Sequence, residues 1–233
     1  MPLWMLDGHC GPAKLAIVRW EGLAGIAVRT TFINELAAAG LLLGSYPIDW
    51  IVQKSEPYLC GTSSEPVILT HGFSGSRSNL LALAAYLRLA GYDNLSFLEY
   101  PQWQSVADSA GLLALMAERK ARDGGVHLIG HSLGGLISRR FAAIARPGLV
   151  RSLITLGSPY SYAQTSPGEV AIFGAGDPLI PPPIEEMLGH GAFGRVVTLG
   201  NTGHLALLYH PEVFRIVGAE LRANRIGDNQ AAA

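Results

Sequence analysis

The chain has 233 residues, of which 49% are hydrophobic and only 15% charged, and its formal net charge is −1. That balance excludes a disordered chain, and with no basic cluster in view it also excludes an electrostatic grip on nucleic acid or anionic lipid. A mean hydropathy of +0.27 fits a large buried parallel sheet or many alanines, or else apolar ligands or a membrane nearby.

The length suits one sizeable core with an extension. Residues 1–60 form that extension. MPLWMLDGHC has no basic segment followed by an apolar one, so an ordinary signal peptide is not evident. The stretch from Gly22 to Gly44 is apolar, but Arg29, Asn34 and Glu35 interrupt it. The uninterrupted part, LAAAGLLLG, falls well short of the roughly 18 residues of a membrane span. A helix packed on the domain is the first reading. A membrane-associated segment in peripheral contact with lipid is the second. Cys10 and Cys60 allow one disulfide or two free thiols, and no cysteine or histidine spacing suggests zinc. The compartment stays open, with a secreted or membrane-associated location ahead of a cytoplasmic one. SEPYLCGTSSEP, residues 55–66, is rich in turn formers and reads as a linker.

From Pro66 onward the pattern becomes regular. VILT (67–70), LSFLEY (95–100), VHLIG (126–130), SLITL (152–156), VAIF (170–173) and RVVTL (195–199) are short runs, apolar on both faces, that suit buried parallel strands. Helical patterns separate most of them. NLLALAAYLRLAG ends at Gly91, a C′ glycine; Ser105 and Asp108 cap a helix that ends in Arg119, Lys120 and Arg122; HPEVFRIVGAELRANR begins at Pro211. The alternation predicts an α/β domain over 61–226, a doubly wound, mostly parallel sheet with helices on both faces, and a disordered tail over 227–233.

HLIGHSLGGL places Ser132 on the turn between the strand VHLIG and a helix. A nucleophile elbow holds its serine in such a strained turn, and strand and helix approach so closely that flanking residues must be small. Gly130, Gly134 and Gly135 meet that condition. The plainer alternative is a glycine-rich turn with an N-cap serine.

A serine hydroxyl needs a general base and a group to orient that base. His204 follows the last strand and is the base. His127 lies inside a strand and reads as core. His71 and His131 come too early for the order Ser, then Asp or Glu, then His; His190 precedes the last strand, and His210 starts a helix. Asp177 sits just past the C-terminal end of the strand before the last and is the acid. Glu169 comes before that strand, and Glu185 and Glu186 read as exposed. The oxyanion donors are the backbone N–H groups of Leu133, after the nucleophile, and Phe73, in the loop THGFSGSRSN. A glycine-rich loop could cradle phosphate instead, but no Gly-Lys-Ser/Thr follows.

VILTHGFSGS, HLIGHSLGGL, ITLGSPY, FGAGDPL and NTGHLALLY, in that order over residues 66–220, resemble the α/β-hydrolase superfamily. More narrowly they resemble the minimal, lidless bacterial triacylglycerol lipases and esterases. The resemblance implies Ser132 as nucleophile, Asp177 as acid, His204 as base, and Phe73 and Leu133 as oxyanion donors, with no metal or cofactor. The chain departs from that pattern in its sixty extra N-terminal residues and in a short Tyr160–Gly168 connection with no room for a helical cap, which implies a shallow, open site unless the N-terminal segment covers it. Phe73, Tyr160, Leu179, Ile180 and Leu205 would line an acyl site for lipid-like or medium-chain esters. Thioesterases and acyltransferases use the same triad, and a non-catalytic binding protein could keep the fold.

Overall fold

The computed structural model describes residues 24–52, 65–121, 124–160, 168–183 and 194–231. Six strands form one all-parallel sheet: β1 (Val67–Thr70), β2 (Leu95–Leu98), β3 (Val126–His131), β4 (Val150–Leu156), β5 (Glu169–Gly174) and β6 (Arg195–Leu199). Each predicted strand is present, with ends displaced by no more than two residues. Their order across the sheet is β2-β1-β3-β4-β5-β6. The winding direction therefore reverses between β1 and β3, and the loops that leave these two neighbours part to opposite sides. In an open α/β sheet, that switch point is where a crevice opens.

The strands alternate their apolar side chains between two cores. Val67, Leu69, Ile129, Ile154, Ile172 and Val197 face α2 (Leu81–Leu89) and α5 (Pro211–Ala231) through Leu83, Leu87, Val213 and Val217. Ile68, Leu128 and Leu153 face α3 (Val106–Ala121) and α4 (Leu133–Ala142) through Leu113, Ala117, Ile137 and Phe141. Full burial of one such aliphatic side chain contributes about 1.5–3 kcal/mol. A sheet covered on both faces accounts for the strongly apolar composition.

Local signals explain most element ends. Ser105 Oγ accepts from the Asp108 N–H at 3.0 Å and donates to Asp108 Oδ2 at 2.7 Å, which opens α3. Gly91, at φ +90°, follows the C-cap of α2. His210 Nδ1 accepts from the Glu212 N–H at the start of α5. That helix continues to Ala231, where the sequence suggests a disordered tail from 227.

Ahead of the sheet lies α1 (Ala24–Val52). One of its faces, Thr31, Glu35, Ala38 and Leu42, turns inward, with Leu42 packed on the first core. No helix among the described residues is long and apolar enough to cross a membrane. Linker residues 55–64, Cys10, Cys60, Glu185, Glu186, His190 and most of the Tyr160–Gly168 connection lie outside the described residues.

Candidate active site

Ser132 stands between β3 and α4 with φ +51° and ψ −119°. A non-glycine residue in that region costs of order 1–3 kcal/mol and persists only where its surroundings impose it. Three glycines impose it here. A Cβ on Gly130 would lie 2.5 Å from the Gly134 carbonyl oxygen, one on Gly134 would lie 2.5 Å from the His71 carbonyl oxygen, and one on Gly135 would lie 2.5 Å from Ser158 Cβ. The Ser132 N–H donates to the Leu156 carbonyl at 2.9 Å, and Ser158 Oγ donates to the Ser132 carbonyl at 2.9 Å. The end of β4 and the loop that follows it thus hold the turn at its N–H and its carbonyl. Ser132 occupies the N-cap position of α4, but its side chain makes no capping bond.

The loop after β1 crosses directly over this turn. A Cβ on Gly72 would lie 3.0 Å from both Ser132 Cβ and His131 Nδ1. The next residue, Phe73, is 71% exposed. Tyr100 anchors the loop: its ring stacks on His71 at 4.7 Å and its hydroxyl donates to the His71 carbonyl at 2.8 Å. Burial raises the Tyr100 pKa, so the hydroxyl keeps the proton it donates. Leu133 is the first residue of α4, and an N–H in that position has no acceptor within its own helix.

Asp177 and His204 meet at the C-terminal edge of β5 and β6. Asp177 Oδ2 lies 2.7 Å from His204 Nδ1, and both residues are buried. Asp177 Oδ1 accepts the N–H groups of Leu179 and Ile180, each at 2.8 Å, so the carboxylate is fixed from behind. Gly157 leaves the space: a Cβ there would lie 3.1 Å from His204 Nδ1 and 3.3 Å from Asp177 Oδ2. Its φ of +51° suits glycine as well.

His131, immediately before Ser132, packs its ring against that of His204 at 4.7 Å. Burial and then the neighbouring His204 hold its pKa down to about 3. It is therefore neutral, and its Nε2 lies 3.2 Å from the His204 carbonyl oxygen. In the tautomer that carries hydrogen on Nε2, it donates to that carbonyl. The sequence marks His131 only as a histidine that comes too early in the chain; the fold makes it a neighbour and support of His204. His127 is a satisfied core histidine, bonded to Ser152 Oγ at 2.9 Å and Glu65 Oε2 at 3.0 Å.

Of the five side chains suggested for an acyl site, Phe73 and Leu179 are exposed, Leu179 by 67%. Leu205 is half-buried. Ile180 and Tyr160 pack on the small core around Phe173. The Tyr160 ring also lies under the Arg139 guanidinium, 4.4 Å from it. Arg139 in turn is fully buried and bonded through Nε to both Glu169 oxygens, at 2.8 and 3.0 Å. Glu169 thus has a structural partner of its own.

Comparison with known proteins agrees with this architecture. Residues 102–171 match the family model described as PGAP1-like alpha/beta domain. A triacylglycerol lipase of Burkholderia plantarii is 32% identical over 138 residues, which are 53% of this chain and 36% of that protein. The match thus spans about a third of the lipase. Among solved structures, MGS-MChE2, an alpha/beta hydrolase enzyme from a sediment metagenome of the Mar Chica lagoon, Morocco, superposes with a TM-score of 0.55 at 20% identity, over 71% of this chain and 93% of its own. A membrane phospholipase A, a bacterial virulence factor, superposes with a TM-score of 0.58 at 16% identity, over 87% of this chain and 99% of its own. With an all-parallel sheet that switches at β1 and β3 and a strained serine turn at the switch, the chain has the α/β-hydrolase fold and resembles the lipases and esterases that share it.

Proposed function

We propose that the protein is a serine hydrolase that cleaves carboxylic esters of lipid-like or medium-chain acyl groups through an acyl-enzyme. The observation that carries this reading is the 2.7 Å pair of Asp177 and His204, with the His204 ring packed on that of His131, the residue before a serine held at φ +51°. With Nδ1 engaged by Asp177, the free Nε2 of His204 is the nitrogen left to take the Ser132 proton. Ser132 Oγ attacks the ester carbonyl, and Asp177 stabilises the imidazolium that forms. The Phe73 and Leu133 N–H groups receive the oxyanion. His204 then protonates the leaving alcohol and activates water, which releases the acid and restores Ser132. No step needs a metal or cofactor.

Two apolar surfaces support a lipid-like substrate. Phe73 and Leu179 are exposed on the loops that carry the oxyanion donor and the acid. Phe32, Ile33, Leu36, Leu41 and Leu43 are exposed on α1, the segment that would make peripheral contact with a lipid surface.

Fluorophosphonate labelling tests the chemistry. Wild type should label and Ser132→Ala should not; equal labelling, or none in either, overturns the proposal. A chain-length series of p-nitrophenyl esters beside triglyceride emulsions then defines the acyl group, and an acyl thioester and an added alcohol acceptor in parallel assays separate ester hydrolysis from thioester or transfer chemistry.

A further inference from the structure

The base loop is held by a residue from outside the sheet and its crossover helices. Residues 200–206 leave β6, carry His204 and turn into a short 3-10 segment, Ala206–Leu208. Its first N–H groups find no acceptor within the loop. Glu35, in the middle of α1, supplies both: Oε2 accepts from the Leu205 N–H at 3.1 Å, and Oε1 accepts from the Ala206 N–H at 2.7 Å. The fit is close, since a Cβ on Gly203 would lie 2.5 Å from Glu35 Cδ and Oε1. One residue earlier in α1, Asn34 Nδ2 donates to the Asn201 carbonyl at 3.0 Å. One turn earlier, Thr31 abuts Gly176 of the acid loop, where a Cβ would lie 2.5 Å from Thr31 Cγ2. Helix α1 therefore touches both loops that carry the Asp177–His204 pair.

We infer that Glu35 is a positioning residue for His204, and that α1 is a clamp on which the catalytic geometry depends. The inference rests on the proposed hydrolase reading. His204 is fixed at its ring by Asp177. Its carbonyl lies beside His131. Glu35 secures the chain that follows. Without Glu35, two N–H groups must turn toward water, and the loop follows them. A displacement near 1 Å in a catalytic group costs on the order of 100-fold in rate. Substrate contacts are left in place, so the loss falls on kcat.

The test measures ester hydrolysis by wild type, Glu35→Ala, Glu35→Gln, Gly203→Ala and the double variant Glu35→Ala/Gly203→Ala. Each kcat is referred to active sites titrated with a fluorophosphonate, so unfolded protein drops out of the comparison. Glu35→Ala should lower kcat per site by about 10–100-fold, with KM changed less than about threefold. Glu35→Gln keeps one acceptor oxygen and should fall between. Gly203→Ala should lower kcat by displacing the carboxyl group, and the double variant should be little worse than Glu35→Ala alone, because both changes remove one contact. If Glu35→Ala yields no titratable sites, Glu35→Gln and Gly203→Ala decide by the same criterion. An unchanged kcat per site in these variants overturns the clamp while the hydrolase reading stands. Wild type that neither labels nor hydrolyses esters overturns the hydrolase reading itself.

Discussion

Replacing Asp177 by Asn exchanges one oxygen for an amide nitrogen, and the surroundings decide which way the new side chain faces. In one orientation the amide oxygen keeps the Leu179 and Ile180 N–H groups, and the NH2 points at His204 Nδ1. Nδ1 must then accept, so its proton moves to Nε2 and the nitrogen facing Ser132 can no longer act as a base. In the other orientation the oxygen faces His204 and the NH2 opposes two N–H donors. That orientation loses two hydrogen bonds at a net cost of about 0.5–1.5 kcal/mol each. The working tautomer is therefore held to a few per cent of molecules, on the order of a tenfold loss per 1.4 kcal/mol. A neutral amide also fails to stabilise the imidazolium. The combined expectation is a fall in kcat of about 10⁴-fold, near 5.5 kcal/mol of transition-state stabilisation. KM and the unfolding midpoint should change little, because shape and packing are retained. Steady-state hydrolysis of a p-nitrophenyl ester, beside thermal unfolding of both proteins, measures this. A kcat within about tenfold of wild type would refute the assignment of Asp177 as the group that orients His204.

Gly134→Ala sets a methyl group against the backbone oxygens of Thr70 and His71, which no side-chain rotation relieves. Stability should fall by about 1–3 kcal/mol or more, read from the denaturant midpoint at constant m; an unchanged midpoint would show that α4 does not approach β1 so closely. Arg139→Ala leaves Glu169, only 1% exposed, as an uncompensated buried charge and should cost about 3–5 kcal/mol. The apolar pair Arg139→Met/Glu169→Leu should recover much of that loss in the same unfolding assay. His131 is held down to about 3 from an ordinary 6.5, so the unfolded chain binds a proton that the folded one refuses. Its contribution is complete above about pH 6.5 and declines by about 1.4 kcal/mol per pH unit as pH falls toward 3. Stability curves of wild type and His131→Asn at pH 7 and pH 5 should converge toward the acid side; parallel curves would show that His131 titrates normally.

Features set by short stretches of chain could be read from the sequence. The six strands stood out as apolar runs because both sheet faces are covered, and the elbow stood out because Gly130, Gly134 and Gly135 each answer a steric demand within a few residues of Ser132. The order of strands and loops along the chain puts Asp177 and His204 at one edge of the sheet. Pairings between distant residues were not readable in this way. Tyr160 is apolar enough to suggest an acyl site, yet its ring is committed to Arg139 and Phe173. His131 looked like a superfluous histidine until the fold laid it against His204. The N-terminal segment shows the difference most sharply. In the sequence, Asn34 and Glu35 read as polar interruptions that argue against a membrane span. In the folded chain these two side chains reach across 167 to 171 positions of sequence to the loop that carries His204. A glutamate on a helix ordinarily marks its solvated face, and only the partner, two N–H groups just after His204, gives Glu35 its place against that loop.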